Sequence, residues 1–83
     1  MGNEFPTIKA QRLRAILVRL CGEAIHVEGS HHTFVSRDGK TRFTFSKHDG
    51  VEVTGGTFRR ILVDDVGLTL DQARHVARKG KLP

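Results

Sequence analysis

Three residue types are scarce in this chain of 83 residues, which has no tryptophan, no tyrosine and a single cysteine, Cys21. One thiol cannot build the internal disulfide framework of a small secreted domain. No stretch is long or apolar enough to span a bilayer. The core must be mainly aliphatic, with five phenylalanines as its largest members. We therefore expect a single domain, residues 1–83, in the cytoplasm and without a membrane partner.

Acidic residues are fewer than basic ones. Lysine and arginine number 14, aspartate and glutamate number 9, and the formal net charge is +5. A small, strongly basic domain is most simply a partner for a polyanion, of which nucleic acid is the first candidate. Charge alone does not separate a binding module from an enzyme.

The start of the chain predicts a flexible arm over residues 1–6 and then an amphipathic helix. Five apolar residues recur at helical spacing: Leu13, Ile16, Leu17, Leu20 and Cys21. Thr7 is a suitable cap for the start of this helix, and Gly22 is suited to its end. Cys21 belongs to the apolar stripe, so we interpret it as a small core residue rather than a reactive thiol.

The middle of the chain predicts three short antiparallel strands. They span residues 24–27, 33–36 and 41–46. The last two are joined by Asp38-Gly39, a dipeptide typical of hairpin turns between alternating runs. One face of the predicted sheet carries three phenylalanines: Phe34, Phe43 and Phe45.

Two further helices are expected after the sheet. The first begins at Gly56 or Thr57 and ends at Gly67, and the second begins with the capping-box sequence of residues 69–72. The resulting order is α-β-β-β-α. This predicts an α+β, dsRBD-like (double-stranded-RNA-binding) domain, with a three-stranded antiparallel sheet and the helices on one of its faces.

Two adjacent histidines, His31 and His32, follow the small-residue turn Gly29-Ser30. Histidine can take and give a proton near neutral pH, because its unperturbed pKa is ~6.5. Neighbours on a strand point to opposite faces. If Phe34 faces the core, His32 faces the same way and His31 faces the open side. His31 is then better placed for a large substrate, unless a bulge at the turn reverses the two.

The residues alone leave three roles open for this pair. Because the two imidazoles point in opposite directions, they cannot easily bind the same metal ion. Zinc also usually takes four ligands at short spacings, so we expect no metal and no cofactor. A second role is simple contact with RNA bases or phosphate. The third is acid/base cleavage, in which a base deprotonates the 2′-hydroxyl for attack on the adjacent phosphate while cations stabilise the developing charge.

Five more residues are candidates for contact with RNA or its phosphates. Ser30 is first a turn residue and has no signature of a nucleophile. Lys47 and His48 follow the third strand. Arg59 and Arg60 stand near a helix start, where free backbone amides attract phosphate.

In combination, these segments resemble the HicA family of small toxins from bacterial type II toxin–antitoxin systems. The resemblance covers roughly residues 13–72 and rests on four segments: Gly29-Ser30-His31-His32, Lys47-His48, Gly56-Thr57-Phe58-Arg59-Arg60-Ile61-Leu62 and Val66-Gly67-Leu68-Thr69. It implies a dsRBD-like fold and a ribosome-independent endoribonuclease that cuts messenger RNA, an mRNA interferase. It also implies one essential histidine and a HicB-type antitoxin that covers the active site.

By position, the essential histidine of the family corresponds to His31, or in some members to the next residue, here His32. Our hypothesis from the sequence is therefore a metal-independent endoribonuclease toxin with His31, or else His32, as general base or acid. The alternative is a non-catalytic RNA- or DNA-binding module of the same shape, which would need only lysine and arginine.

Overall fold

The computed structural model describes residues 4–83, and its central sheet is antiparallel with strand order β2-β3-β4. The elements in chain order are β1 (Ile8–Lys9), α1 (Ala10–Cys21), β2 (His26–Glu28), β3 (His31–Val35), β4 (Arg42–Phe45), β5 (Glu52–Val53), α2 (Gly55–Arg60), a π-helical turn (Ile61–Asp65) that continues α2, and α3 (Leu70–Lys79). The predicted α+β order of one helix, three antiparallel strands and further helices is confirmed.

Helix α1 begins at Ala10, so the predicted cap at Thr7 is wrong. Ile8 and Lys9 instead form the short strand β1, which pairs with β5 in an antiparallel two-stranded ribbon. This pairing draws the chain out of helical geometry before α1 can start. The predicted end is confirmed, because Gly22 terminates the helix with a positive φ of 84°, which glycine adopts at little cost.

The start of α1 is capped by backbone rather than by a side chain. The amide of Ala10 donates to the carbonyl of Val51 (2.8 Å), and the amide of Gln11 donates to the carbonyl of Asp49 (3.3 Å). These bonds satisfy amides that have no partner within a helix. They also attach the loop that follows β4 to the first turn of α1.

The core lies between the helices and one face of the sheet. Phe34 and Phe45 of the sheet pack there with buried residues of all three helices, and the ring of Phe43 stacks on Phe34 with centroids 5.7 Å apart. The shared face predicted for these phenylalanines is confirmed. Cys21 packs partly buried against this core, where burial raises the pKa of its thiol, as expected for a packing residue.

The C-terminal helices carry the predicted capping residues Gly67 and Thr69, except that α2 begins one residue earlier than predicted. Helix α2 begins at Gly55, and Thr54 caps it by accepting a hydrogen bond from the amide of Thr57 (3.5 Å). Gly67 follows the π-helical turn with a φ of 93°. The capping box at the start of α3 is confirmed, with Thr69 and Gln72 bonded to each other's backbone amides.

The described part of the predicted N-terminal arm, residues 4–6, contacts the helices, and residues 1–3 lie outside the described residues. The ring of Phe5 meets that of Phe58 edge-on, with centroids 6.1 Å apart. Glu4 forms an ion pair with Arg74 of α3. The segment before β1 therefore passes over the start of α2.

Gly55→Ala is expected to destabilise the fold by about 1–3 kcal/mol, because a Cβ there overpacks the contact with the N-terminal segment. That atom would stand 1.7 Å from the carbonyl oxygen of Phe5. Gly56→Ala is the matched control, since nothing lies within 4 Å of its Cβ position, and we expect it to be neutral or to stabilise by about 0.4–1 kcal/mol. Urea unfolding of both variants tests this, and equal stabilities would contradict the close approach of Phe5.

Candidate functional site

The two histidines begin β3 directly after a two-residue turn. Gly29 takes a positive φ of 61° in this turn, and Glu28 pairs with His31 to close it. The strand is regular back to His31, so the directions follow from the register. His32 pairs with the buried Phe45 and faces the helices, half-buried, whereas His31 is exposed on the open face. The predicted opposite directions of His31 and His32 are confirmed.

The open face around His31 is polar. Glu28 lies opposite His31 in the ladder and contacts His26 at 3.8 Å between Oε1 and Nε2. Further along the face, the hydroxyls of Thr33 and Thr44 lie 3.1 Å apart. This face presents hydrogen-bonding groups to solvent and leaves the imidazole of His31 accessible.

A cleft of about 440 Å³ lies beside the turn, on the side to which His32 points. Three parts of the fold contribute to it: α1, the β2–β3 turn with the start of β3, and the loop after β4. The lining residues are Arg14, Gly29, Ser30, His32, Lys47, His48 and Asp49. Four of the predicted site residues, Ser30, His32, Lys47 and His48, are thus brought together here.

An ion pair joins two walls of the cleft. The Nη1 group of Arg14 on α1 donates a hydrogen bond to the carboxylate of Asp49 in the loop after β4. That bond, together with the positive charge of Arg14, lowers the pKa of Asp49 below its usual value. It also raises the pKa of Arg14. Asp49 is therefore ionised at neutral pH and holds the guanidinium at the cleft.

The remaining predicted residues lie elsewhere. Arg60 faces a separate groove between β4 and α2, which Lys47 also lines, and its Nη1 lies 3.7 Å from Asp65. Arg59, one residue earlier, lines a depression beside Phe5 and α3. Lys47 thus connects the cleft with the groove of Arg60, whereas Arg59 is not part of either.

Sequence reasoning missed Arg14 and Asp49. Arg14 borders the apolar stripe of α1, next to Leu13. This position could have indicated that its side chain lies beside the core and not on the solvated side of the helix. Asp49 precedes a glycine in a loop and carries no signal for a partner 35 residues away. The ion pair emerges only when the loop docks on the start of α1.

Within residues 4–83, no group of three or more histidine, cysteine, aspartate or glutamate side chains is placed to hold a metal ion. Among the helices of the same residues, none is long and apolar enough to cross a membrane.

The order of elements, the open sheet face and the basic charge define a small α+β domain of the double-stranded-RNA-binding shape. A family model described as HicA toxin of bacterial toxin-antitoxin matches residues 10–68. Because this match spans well over half of the chain, the protein belongs to the HicA toxin family and is a toxin of a toxin–antitoxin system, which implies an antitoxin as its partner. Comparisons with curated proteins and with solved structures gave no significant match.

Proposed function

We propose that this toxin is a metal-independent endoribonuclease that cleaves messenger RNA in the cytoplasm and is inhibited by a HicB-type antitoxin. The observation that carries the proposal is the position of two histidines at one end of the sheet, in a chain of the HicA family. His31 is accessible on the open face, and His32 lines a cleft that also holds Arg14 and Lys47.

In the proposed reaction His31 acts as general base or acid on the scissile phosphodiester. A base removes the proton of the 2′-hydroxyl, the O2′–P bond forms, and the P–O5′ bond breaks as an acid protonates the leaving O5′. The products are a 2′,3′-cyclic phosphate and a 5′-hydroxyl. Acid/base catalysis of this kind contributes about 10²–10⁴-fold to the rate, and positioned cations stabilise the added charge on phosphorus.

We assign the supporting roles by location. Ser30, His32, Lys47 and His48 line the cleft next to the turn, on the side opposite His31, so we assign them to neighbouring phosphates of an RNA strand that passes around this end of the sheet. His32 is the second candidate for the catalytic group. Arg60 shares a groove with Lys47 and extends the path of the RNA backbone, whereas Arg59, which lies apart, has at most a peripheral contact with it. Sequence preference should be loose, because such groups mostly bind the backbone.

The charge of the chain also suits the proposed antitoxin. An acidic protein surface that covers the histidine end of the sheet would complement the net charge of +5 and exclude RNA from it. Inhibition by occlusion needs no change in the toxin fold.

Expression in a bacterial host tests the proposed function. Induction of the wild-type chain should stop growth and leave messenger RNA in fragments, and the His31→Ala/His32→Ala double variant, produced at the same level, should do neither. Growth arrest with intact messenger RNA would refute ribonuclease action. Binding to RNA without any cleavage would favour the alternative of a non-catalytic RNA- or DNA-binding module.

A further inference from the structure

We infer that Arg14 binds an RNA phosphate in the cleft with its free guanidinium donors while Nη1 stays hydrogen-bonded to Asp49. The inference rests on the proposed function, since it names a residue that would hold the RNA substrate. It adds a positioning element on α1, far in sequence from the histidines.

Backbone hydrogen bonds fix the Arg14–Asp49 pair in place. The amide of Gln11 holds the carbonyl of Asp49, and the amide of Ala10 holds that of Val51. Arg14 lies one turn further along the same helix. Its side chain is 23% exposed, so the charged end reaches the cleft while much of the side chain is covered.

Arg14 has more hydrogen-bond donors than its pairing with Asp49 uses. A guanidinium has five N–H donors in a planar fork that matches phosphate oxygens. Within residues 4–83, the hydrogen bond of Arg14 is the one from Nη1 to Asp49, which leaves other donors for an anion. A phosphate could therefore bind without breaking the ion pair.

The groups around the Arg14 guanidinium also suit a phosphate. Lys47 adds a second positive charge, and His32 and His48 add imidazoles that a phosphate can hydrogen-bond. At the turn, no atom lies within 4 Å of the Cβ position of Gly29, so the backbone there is open to a ligand. A volume of about 440 Å³ falls in the range of small-molecule sites and can hold a nucleotide unit.

Arg12 provides a matched control on the same helix. It lies two residues before Arg14, about 200° around the helix, and lines a depression with Pro6 and Thr7 instead of the cleft. Arg12→Gln and Arg14→Gln remove the same charge from the same element. Any difference between them in RNA binding therefore reports location and not net charge.

The experiment measures binding of a single-stranded 2′-O-methyl RNA oligonucleotide, which lacks the attacking hydroxyl and stays intact. Arg14→Gln should weaken binding about 10- to 100-fold, as expected for a hydrogen bond to a charged group. It should also reduce the slope of log K against log salt by about 0.7, the value for one phosphate contact on a single strand. Arg12→Gln should change the affinity less than about threefold, a small surface-charge effect.

Asp49→Asn separates phosphate contact from a structural role of Arg14. The amide oxygen can still accept from Nη1 while the negative charge is removed, so binding should be unchanged or tighter. Equal weakening by Arg14→Gln and Arg12→Gln would overturn the inference. Equal weakening by Arg14→Gln and Asp49→Asn would also overturn it, because Arg14 would then act only by holding the loop. Neither result depends on whether wild type cuts ordinary RNA, which tests the proposed function separately.

Discussion

Replacing Phe34 with alanine is expected to lower the free energy of unfolding by about 3–5 kcal/mol, the usual cost of truncating a buried phenylalanine. Phe34 is fully buried, stacks on Phe43 and packs between the sheet and the helices. A domain of this length is stable by about 4–12 kcal/mol. The variant should therefore lose a quarter or more of its stability, and the folded fraction at 37 °C should fall.

Urea unfolding followed by far-UV circular dichroism measures this loss. Val27→Ala is the control, since Val27 lies on the same face of the neighbouring strand but is 54% exposed, and we expect it to cost about 0.5 kcal/mol. Similar losses for the two variants would mean that Phe34 does not occupy the centre of the core.

His31→Ala is expected to lower the rate of RNA cleavage about 10²–10⁴-fold, the contribution of general acid/base catalysis. The side chain is exposed on the open face, so its removal should leave the free energy of unfolding within about 0.5 kcal/mol of wild type. Binding of 2′-O-methyl RNA should also change little. The loss should therefore appear in the single-turnover rate and not in affinity or stability.

His26→Ala is the matched control for His31→Ala. Its imidazole is also exposed on the open face, one strand away, where it pairs with Thr33. We expect this variant to retain wild-type cleavage within about twofold, since His26 contacts Glu28 and has no assigned part in the reaction, and surface changes of this kind have little effect. If His32→Ala abolishes cleavage and His31→Ala does not, the catalytic group faces the cleft and not the open side of the sheet.

Local patterns in the sequence predicted most of the fold. The apolar stripe of α1 and the capping box of α3 depend on residues a few positions apart, and so does the Asp-Gly hairpin. The directions of His31 and His32 follow from strand alternation and the core position of Phe34, because the strand contains no bulge. Such features need no knowledge of distant contacts.

The features that the sequence did not predict depend on contacts between distant segments. Thr7 is a favourable helix-capping residue, but Ile8 pairs with Val53 in a β-ribbon, so the helix begins later, at Ala10. The Arg14–Asp49 pair depends on the same docking of the loop onto α1. A single sequence does not predict that Arg14 and Asp49 pair, because local propensities do not indicate which distant segments come into contact.

The separation of Arg59 from Arg60 has a different cause. Successive helical residues differ by about 100° around the axis, so two adjacent arginines cannot both face one groove. Helical geometry alone was sufficient to predict that they diverge. Their shared proximity to a glycine-rich helix start suggested a common role that the separate grooves do not support.

Cleavage of single-stranded RNA by the purified wild-type protein in EDTA tests the central claim most directly. The account predicts fragments that end in a 2′,3′-cyclic phosphate, and full activity without divalent metal. Binding of the same RNA without any cleavage, even after divalent metal is added, would contradict it and leave a binding module in its place.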